Sequence, residues 1–166
     1  MPHVLIAGIT ESGKSTLARE LAAEYRRADI GVLVLDPLAD PRWEADYQTT
    51  DPDAFLQTAK QSWECALFLD ESGETVGRYK EEMFWCATQA RHRAHRSHFI
   101  TQRPVQLAKT VRDQCTRLFL FAVSTSDAKV LADEWAKPAL LEAATLGPGE
   151  FFDVRRFGEP RRRRVF

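Results

Sequence analysis

The chain has 166 residues, enough to bury a sizeable core, which predicts a single domain over residues 1–166. A hydrophobic fraction of 44% beside 28% charged residues is typical of a soluble globular protein. The net charge of −1 excludes a uniformly basic protein, but acids predominate between residues 36 and 82 and arginines between residues 91 and 117.

The first half of the chain predicts buried strands that alternate with helices. Short apolar runs indicate strands at residues 4–7, residues 32–35 and Cys65–Leu69. Apolar side chains at helical spacing indicate helices at residues 15–28 and 54–63. Asp36-Pro37 ends the second strand, and the prolines and acids of residues 38–51 indicate a loop.

The second half continues the same alternation. Residues 78–96 predict one long helix, and strands follow at residues 98–101 and 118–123. A further helix opens at Ser126, with Ser126-Asp127 as its cap. Residues 150–157 and 161–166 flank Gly158-Glu159-Pro160 and predict a terminal hairpin. Because the strands are apolar throughout, we expect a parallel sheet covered by helices on both faces, with ligands at its carboxyl edge.

A glycine-rich loop between the first strand and the first helix carries the strongest chemical signal. It reads Gly8-Ile9-Thr10-Glu11-Ser12-Gly13-Lys14-Ser15, with Thr16 next in the helix. A strand before it and a helix after it are the context that a phosphate-binding P-loop requires, and they disfavour a chance match in a glycine turn. The pattern predicts that backbone N–H groups and Lys14 bind nucleotide phosphates and that Ser15 binds Mg²⁺. The acidic Glu11 departs from the usual small residue, and its side chain faces solvent, a base or a neighbouring subunit.

Two polar strand ends complete a hydrolytic set. Asp70 and Glu71 follow the third strand, where Asp70 supports Mg²⁺ and Glu71 accepts a proton from the attacking water. Gln102 follows the strand at residues 98–101, where it senses the γ-phosphate and orients the water. The plainer alternatives are a polar turn at Asp70-Glu71 and a surface glutamine at Gln102. Together these motifs predict ATP or GTP hydrolysis.

The order of these motifs resembles the FtsK–HerA superfamily of P-loop ATPases, and within it the small genome-packaging ATPases of viruses. The matching residues are Gly8 to Ser15, Asp36-Pro37, Asp70-Glu71, Thr101-Gln102-Arg103-Pro104 and Leu146-Gly147-Pro148-Gly149-Glu150-Phe151. The predicted fold is a three-layer α/β/α P-loop NTPase of the ASCE or RecA-like type. In that fold the Gln102 strand lies between the P-loop strand and the Glu71 strand, and a β-hairpin closes the chain.

The resemblance also implies partners. It implies a homo-oligomeric ring, usually a hexamer, that moves double-stranded DNA without sequence specificity, with viral capsid or membrane-vertex proteins as further contacts. It implies an arginine finger given by one subunit to the next, for which Arg91, Arg93 and Arg112 are the first candidates, ahead of Arg103 and Arg117. The basic residues 91–96 are either a solvated helix end or a DNA contact, and residues 161–164 are either a DNA-binding tail or an edge strand.

Cysteine content and hydropathy set the expected location. Cys65, Cys86 and Cys115 show no CxxC spacing, so we expect buried thiols in a reducing compartment. No apolar run approaches the roughly 20 residues of a membrane span, and the first strand begins too early for a signal peptide. We expect a protein of the cytoplasm, meaning the host cytoplasm or the virion for a viral protein. The function predicted is DNA translocation, and the alternatives are a small-molecule or nucleotide kinase and a slow nucleotide-dependent assembly switch.

Overall fold

The computed structural model describes residues 2–76 and 81–166, and these residues form one sheet in the order β3-β2-β4-β5-β1-β6-β7-β8. Strands β1 to β6 pair in parallel, and β7 and β8 are added antiparallel. The strands are β1 (His3–Ala7), β2 (Gly31–Leu35), β3 (Tyr47–Thr49), β4 (Cys65–Leu69), β5 (Arg96–Thr101), β6 (Cys115–Leu120), β7 (Glu150–Arg155) and β8 (Arg161–Arg164). The predicted strand arrangement is confirmed, because β5 lies between β1 and β4.

Helices cover the sheet on both faces and make it a three-layer α/β/α fold, as predicted. The helices are α1 (Lys14–Arg27), α2 (Pro52–Gln61), α3 (Ser72–Thr75), α4 (Trp85–Thr88), α5 (Lys109–Gln114) and α6 (Thr125–Trp135). Short 3-10 helices lie at Glu81–Phe84, Ala90–Arg93, Pro104–Gln106 and Pro138–Thr145. On one face α1 packs Ala18 and Ala22 against β1, β2, β4 and β5, and the small side chains allow close approach. On the other face α2, α4, α5 and α6 cover the second apolar cluster.

The long helix predicted at residues 78–96 is wrong over its described part, residues 81–96. The chain there forms a 3-10 turn, α4 and a second 3-10 turn, and Ala94 ends it in a left-handed conformation with φ 56°. Tertiary contacts override the local helix pattern. Buried His95 accepts a hydrogen bond from the Cys65 N–H (3.0 Å) and donates one to the Ala59 carbonyl (2.8 Å), and β5 begins at the next residue. Residues 78–80 lie outside the described residues.

Smaller corrections concern element boundaries. Residues 47–49, predicted as loop, form the edge strand β3 beside β2, with Tyr47 opposite Leu33. The fifth predicted strand is displaced, because β6 spans Cys115–Leu120 and residues 121–123 leave the sheet. The helix cap is Ser124 and not Ser126, since the Ser124 hydroxyl accepts the Asp127 N–H. The terminal hairpin is confirmed, and Arg161–Arg164 is its edge strand.

Candidate active site

The loop after β1 is tied to the two strands that flank it. The Gly8 N–H donates to the Thr101 carbonyl at the end of β5 (3.1 Å), and the Ile9 N–H donates to the Ala122 carbonyl after β6 (2.8 Å). Gly13 has φ 111°, a conformation that side chains rarely adopt, and a Cβ there would meet Val165 and Phe121 at 3.0–3.1 Å. Local geometry therefore requires glycine immediately before Lys14, where α1 begins.

The loop presents a set of unpaired donors at the N-terminus of α1. Among the described residues no backbone hydrogen bond is made by the amides of Thr10, Glu11, Gly13, Lys14, Ser15 and Thr16. Ser12 Oγ is buried and also lacks a partner among the described residues. Converging N–H groups at a helix N-terminus form an anion site. Glu11 is exposed, with φ 65°, so its side chain lies outside this cluster of donors.

Lys14 lies in this site as a buried cation. Its side chain is 6% exposed and makes no hydrogen bond to any described residue. Burial lowers the pKa of Lys14, and the nearby Glu71 and Asp70 carboxylates oppose that shift. A buried ammonium with free donors fits a polyanionic ligand, since phosphate oxygens replace the lost hydration.

Gly149 and the C-terminal residues Val165 and Phe166 form a C-terminal brace that holds the loop in place. The Gly149 N–H donates to the Ser12 carbonyl (2.9 Å), and the Val165 N–H donates to the Gly149 carbonyl (2.8 Å). Gly149 has φ 80°, and a Cβ there would meet the Phe166 ring at 3.0 Å. The Gly147-Pro148-Gly149 segment belongs to the motifs that carry the family resemblance, but its contact with the loop is not predicted from the sequence. Nothing local predicts that contact, because the partners are more than 130 residues apart in the chain.

Asp70 and Glu71 stand at the end of β4, on the same edge of the sheet. The Asp70 N–H donates to the Leu35 carbonyl (2.8 Å), and Asp70 Oδ1 accepts the Glu71 N–H (2.8 Å). Burial raises the pKa of Asp70 to about 6, and the Glu71 and Asp36 carboxylates add to the shift. Glu71 is half-buried, with φ 49°, a strained backbone of the kind found at functional sites. Asp36 instead is held in its own loop by the Leu38 and Asp40 amides and the Trp43 indole.

Ser72 fixes the end of β4 against β5. Its buried hydroxyl donates to the Leu69 carbonyl and accepts the Ile100 N–H (3.1 Å). Gln102 follows Thr101, whose carbonyl holds the Gly8 amide, and its side chain is exposed. The structure therefore brings the loop, Asp70, Glu71 and Gln102 to one edge of the sheet.

The predicted arginines lie elsewhere. Arg112 is buried in the fold, where Nη2 and Nε contact Glu134 (2.7 and 3.2 Å) and Nη1 donates to the Leu107 and Pro104 carbonyls. This environment contradicts the prediction of Arg112 as a finger for a neighbour, because its donors are already engaged. Arg91 is exposed and bonds Gln114 (3.1 Å), and Arg93 stacks on Trp63. Both precede β5 and so lie at the opposite, amino edge of the sheet. Arg103 pairs with Asp127, and Arg117 pairs with Asp153.

The residues present fit a magnesium–nucleotide complex. Asp70 Oδ2 and the half-buried Ser15 hydroxyl make no hydrogen bond to any described residue, and carboxylate and hydroxyl oxygens are ligands that Mg²⁺ prefers. Burial raises the pKa of Asp70, and the nearby Lys14 offsets only part of that shift. The edge therefore combines free backbone donors, a buried lysine, and carboxylate and hydroxyl oxygens, which are the features that the site of a P-loop NTPase requires.

No known family model and no curated protein matches the sequence. Solved structures do match. The genome-packaging NTPase B204 of Sulfolobus turreted icosahedral virus 2, bound to AMPPCP, superimposes with a TM-score of 0.82 at 16% identity, over 99% of this chain and 98% of that one. The pCW3 conjugation coupling protein TcpA gives 0.75 at 13% identity, over 99% of this chain and 60% of that one.

A third similar structure is the ATPase EccC of Thermomonospora curvata, with a TM-score of 0.65 at 12% identity over 98% of this chain and 36% of that one. The chain thus has the P-loop ATPase fold that B204 also has, and the predicted fold is confirmed. Within the described ranges, no helix has both the length and the apolar character that crossing a bilayer demands.

Proposed function

We propose that this chain hydrolyses ATP in order to translocate double-stranded DNA, and that it packages a viral genome into a preformed capsid. The observation that carries the hydrolytic part is the meeting of three elements at one sheet edge. These are the donor-rich loop with Lys14, the Asp70-Glu71 pair at the end of β4, and Gln102 at the end of β5.

Each residue has a distinct role in the proposed reaction. The loop amides and Lys14 hold the phosphates, and Ser15 and Asp70 hold Mg²⁺, which would neutralise phosphate charge when bound. A water oxygen attacks the γ-phosphorus, the bond from that phosphorus to the ADP oxygen breaks, and Glu71 accepts the proton of the water. Gln102 orients this water. Lys14 makes no hydrogen bond to any described residue, which supports its role on the phosphates.

Assembly would complete the site. An arginine from a neighbouring subunit stabilises transition-state charge in many P-loop enzymes, and such a group is worth about 10³ or more in rate. Arg91 and Arg93 remain the first candidates, because both lie on the 3-10 turn Ala90–Arg93 outside the core, whereas Arg112 is buried. We propose a homo-oligomeric ring, usually a hexamer in similar proteins.

The DNA part rests on two supports. B204 is named as a genome-packaging NTPase and TcpA as a conjugation coupling protein, and both share this fold. We call the sheet edge that carries the loop, Asp70, Glu71 and Gln102 the nucleotide edge. Away from this edge the chain carries arginine-rich surfaces, and these surfaces suit sequence-independent contact with phosphates. Capsid or membrane-vertex proteins would recruit the ring, in the host cytoplasm or the virion.

The test is ATP turnover by the purified protein with and without double-stranded DNA over a series of salt concentrations. We expect strong stimulation by DNA that fades as salt rises, because phosphate contacts release counterions. Lys14→Ala should abolish nucleotide binding, and Glu71→Gln should retain binding without turnover.

Other outcomes identify the alternatives. Turnover that requires a small-molecule acceptor and ignores DNA indicates a kinase. Slow turnover with nucleotide-dependent assembly, and no response to DNA, indicates a switch. Either result contradicts the motor.

A further inference from the structure

The sheet face that carries α1 is only partly covered. In the described part of the chain, α1 packs on β1, β2, β4 and β5, and no helix packs on the same face of β6, β7 and β8. Side chains alternate between the two faces along a strand, so every second residue of these three strands points to the uncovered side. Phe119 and Phe151 mark that side, because both belong to the apolar cluster of α1.

Arginines occupy the uncovered side, and we call this group the arginine face. Its members are Arg96 on β5, Arg117 on β6, Arg155 on β7, and Arg161 and Arg163 on β8. They line two adjoining open depressions of about 580 and 530 Å³ that share Arg117, Arg155 and Gly158. Among the residues that line them, only Asp153 and Glu159 are acids. The face therefore carries a clear excess of positive charge.

Internal contacts account for only part of this charge. Arg117 and Arg163 share one carboxylate, that of Asp153 (3.0 and 3.2 Å). Arg155 and Arg161 are exposed, and their side chains make no hydrogen bond or ion pair to any described residue. A surface with free guanidinium groups suits an anionic partner better than a role in folding.

An aromatic side chain extends the face. Phe157, in the turn between β7 and β8, is fully exposed and lines the larger depression beside Arg155. An exposed aromatic ring beside arginines can pack on the sugars of a duplex while the guanidinium groups bind the neighbouring phosphates.

We infer that the arginine face is a docking surface for the phosphodiester backbone of duplex DNA. The inference rests on the proposed DNA motor and adds the surface that holds its substrate. Arg96, Arg117, Arg155 and Arg161 come from β5, β6, β7 and β8, so with β1 between β5 and β6 they span roughly 20 Å at the usual strand spacing. Duplex DNA carries one phosphate charge per about 1.7 Å of axis, so a row of this length meets several phosphates at once.

Strand β8 supplies a matched control on the same edge. Arg161 belongs to the arginine face, whereas Arg164 points to the opposite face, opposite Glu150 in the pairing of β7 and β8. Both side chains are exposed, and neither forms a hydrogen bond or an ion pair with a described residue. Arg161→Ala and Arg164→Ala therefore remove the same charge from the same strand on opposite faces.

The experiment measures the affinity of the full chain for a random-sequence duplex, with a non-hydrolysable ATP analogue, from about 50 to about 200 mM salt. Arg161→Ala should weaken binding about three- to tenfold and reduce the slope of log K against log salt by about 1. The double variant Arg155→Ala/Arg161→Ala should reduce that slope by about 2. Arg164→Ala should leave the slope unchanged. ATP turnover without DNA should stay at the wild-type rate in all three variants.

Three results overturn the inference. One is an equal effect of Arg161→Ala and Arg164→Ala on the salt slope. The second is a loss of oligomer in Arg161→Ala with an unchanged slope, which identifies the face as a contact with an acidic surface of a second copy. The third is no duplex binding by the wild-type protein. If the Arg161 effect is seen but DNA does not stimulate ATP turnover, the surface stands and the proposed motor fails.

Discussion

The nucleotide edge and the arginine face lie on the same sheet but are built in opposite ways. At the nucleotide edge, backbone hydrogen bonds and buried charges fix Gly8, Lys14 and Asp70 in place. The arginine face consists of exposed and partly exposed side chains that project from paired strands. The difference implies that changes at the first region alter chemistry and stability, whereas changes at the second alter only the affinity for a partner.

The largest effect is expected at Glu71. Glu71→Gln keeps the size of the side chain but removes the proton acceptor, so kcat for ATP should fall about 10²- to 10⁴-fold with nucleotide affinity retained. Single-turnover kinetics and binding of a fluorescent nucleotide analogue measure the two quantities. Arg161→Ala, on the arginine face, serves as the control with unchanged basal turnover. A fall in kcat below tenfold would remove Glu71 from the mechanism.

Arg112, one of the predicted arginine-finger residues, tests whether its side chain stabilises the fold. Arg112→Met should lower the free energy of unfolding by about 3 kcal/mol, because it leaves the largely buried Glu134 carboxylate without its partner. Arg91→Met, at an exposed arginine, should change it by less than about 0.5 kcal/mol. Urea denaturation measures both. Equal stability of the two variants would return Arg112 to the list of finger candidates.

Asp70 tests the cost of burying a carboxylate at the nucleotide edge. The pKa of Asp70 is raised from 3.8 to about 6, so the folded state holds a proton that the unfolded chain releases as the pH rises through this window. Asp70→Asn should therefore stabilise the nucleotide-free protein by about 1 to 3 kcal/mol at pH 7, with little gain at pH 4.

The same substitution should weaken binding of ATP with Mg²⁺, which separates stability from function. Denaturation at the two pH values and nucleotide binding with and without Mg²⁺ measure the effects. A variant that is less stable than the wild type at pH 7 would contradict the burial of an unpaired charge.

The smallest effect is expected at the C-terminal brace. Val165→Pro removes the N–H that holds the Gly149 carbonyl, and through it the Ser12 carbonyl of the loop. The loss of one hydrogen bond, about 0.5 to 1.5 kcal/mol, should raise the Kd for ATP about two- to tenfold. Val165→Ala keeps the N–H and serves as the control. Equal Kd values for the two variants would show that the brace does not act through this bond.

The nucleotide edge was predictable because its signals are local. Gly8 to Ser15 forms a continuous motif between a strand and a helix, and Asp70-Glu71 follows an apolar run directly. The predicted P-loop fold also places the Gln102 strand between the P-loop strand and the Glu71 strand, and the structure confirms that placement. The placement of these residues at one edge needs only the rule that parallel strands share a carboxyl edge.

The features that the sequence does not predict depend on contacts between residues that are distant in the chain. The helix predicted over residues 78–96 fails in its described part because His95 bonds to Cys65 and Ala59, which no local pattern contains. No local pattern distinguishes Arg112 from the other arginines, because its contacts with Glu134 and two carbonyls are seen only in the fold. The division of Arg161–Arg164 between two faces requires the pairing of β7 and β8.

The most direct test of the central claim is a triplex-displacement assay, in which a motor that moves along duplex DNA with ATP removes a third strand bound to that duplex. The account predicts that the wild-type protein with ATP and Mg²⁺ displaces the third strand, whereas Glu71→Gln binds ATP and DNA without displacing it. Arg161→Ala should displace the third strand only at a higher protein concentration. Wild-type protein that hydrolyses ATP on DNA and displaces nothing, or Glu71→Gln that displaces at the wild-type rate, would contradict it.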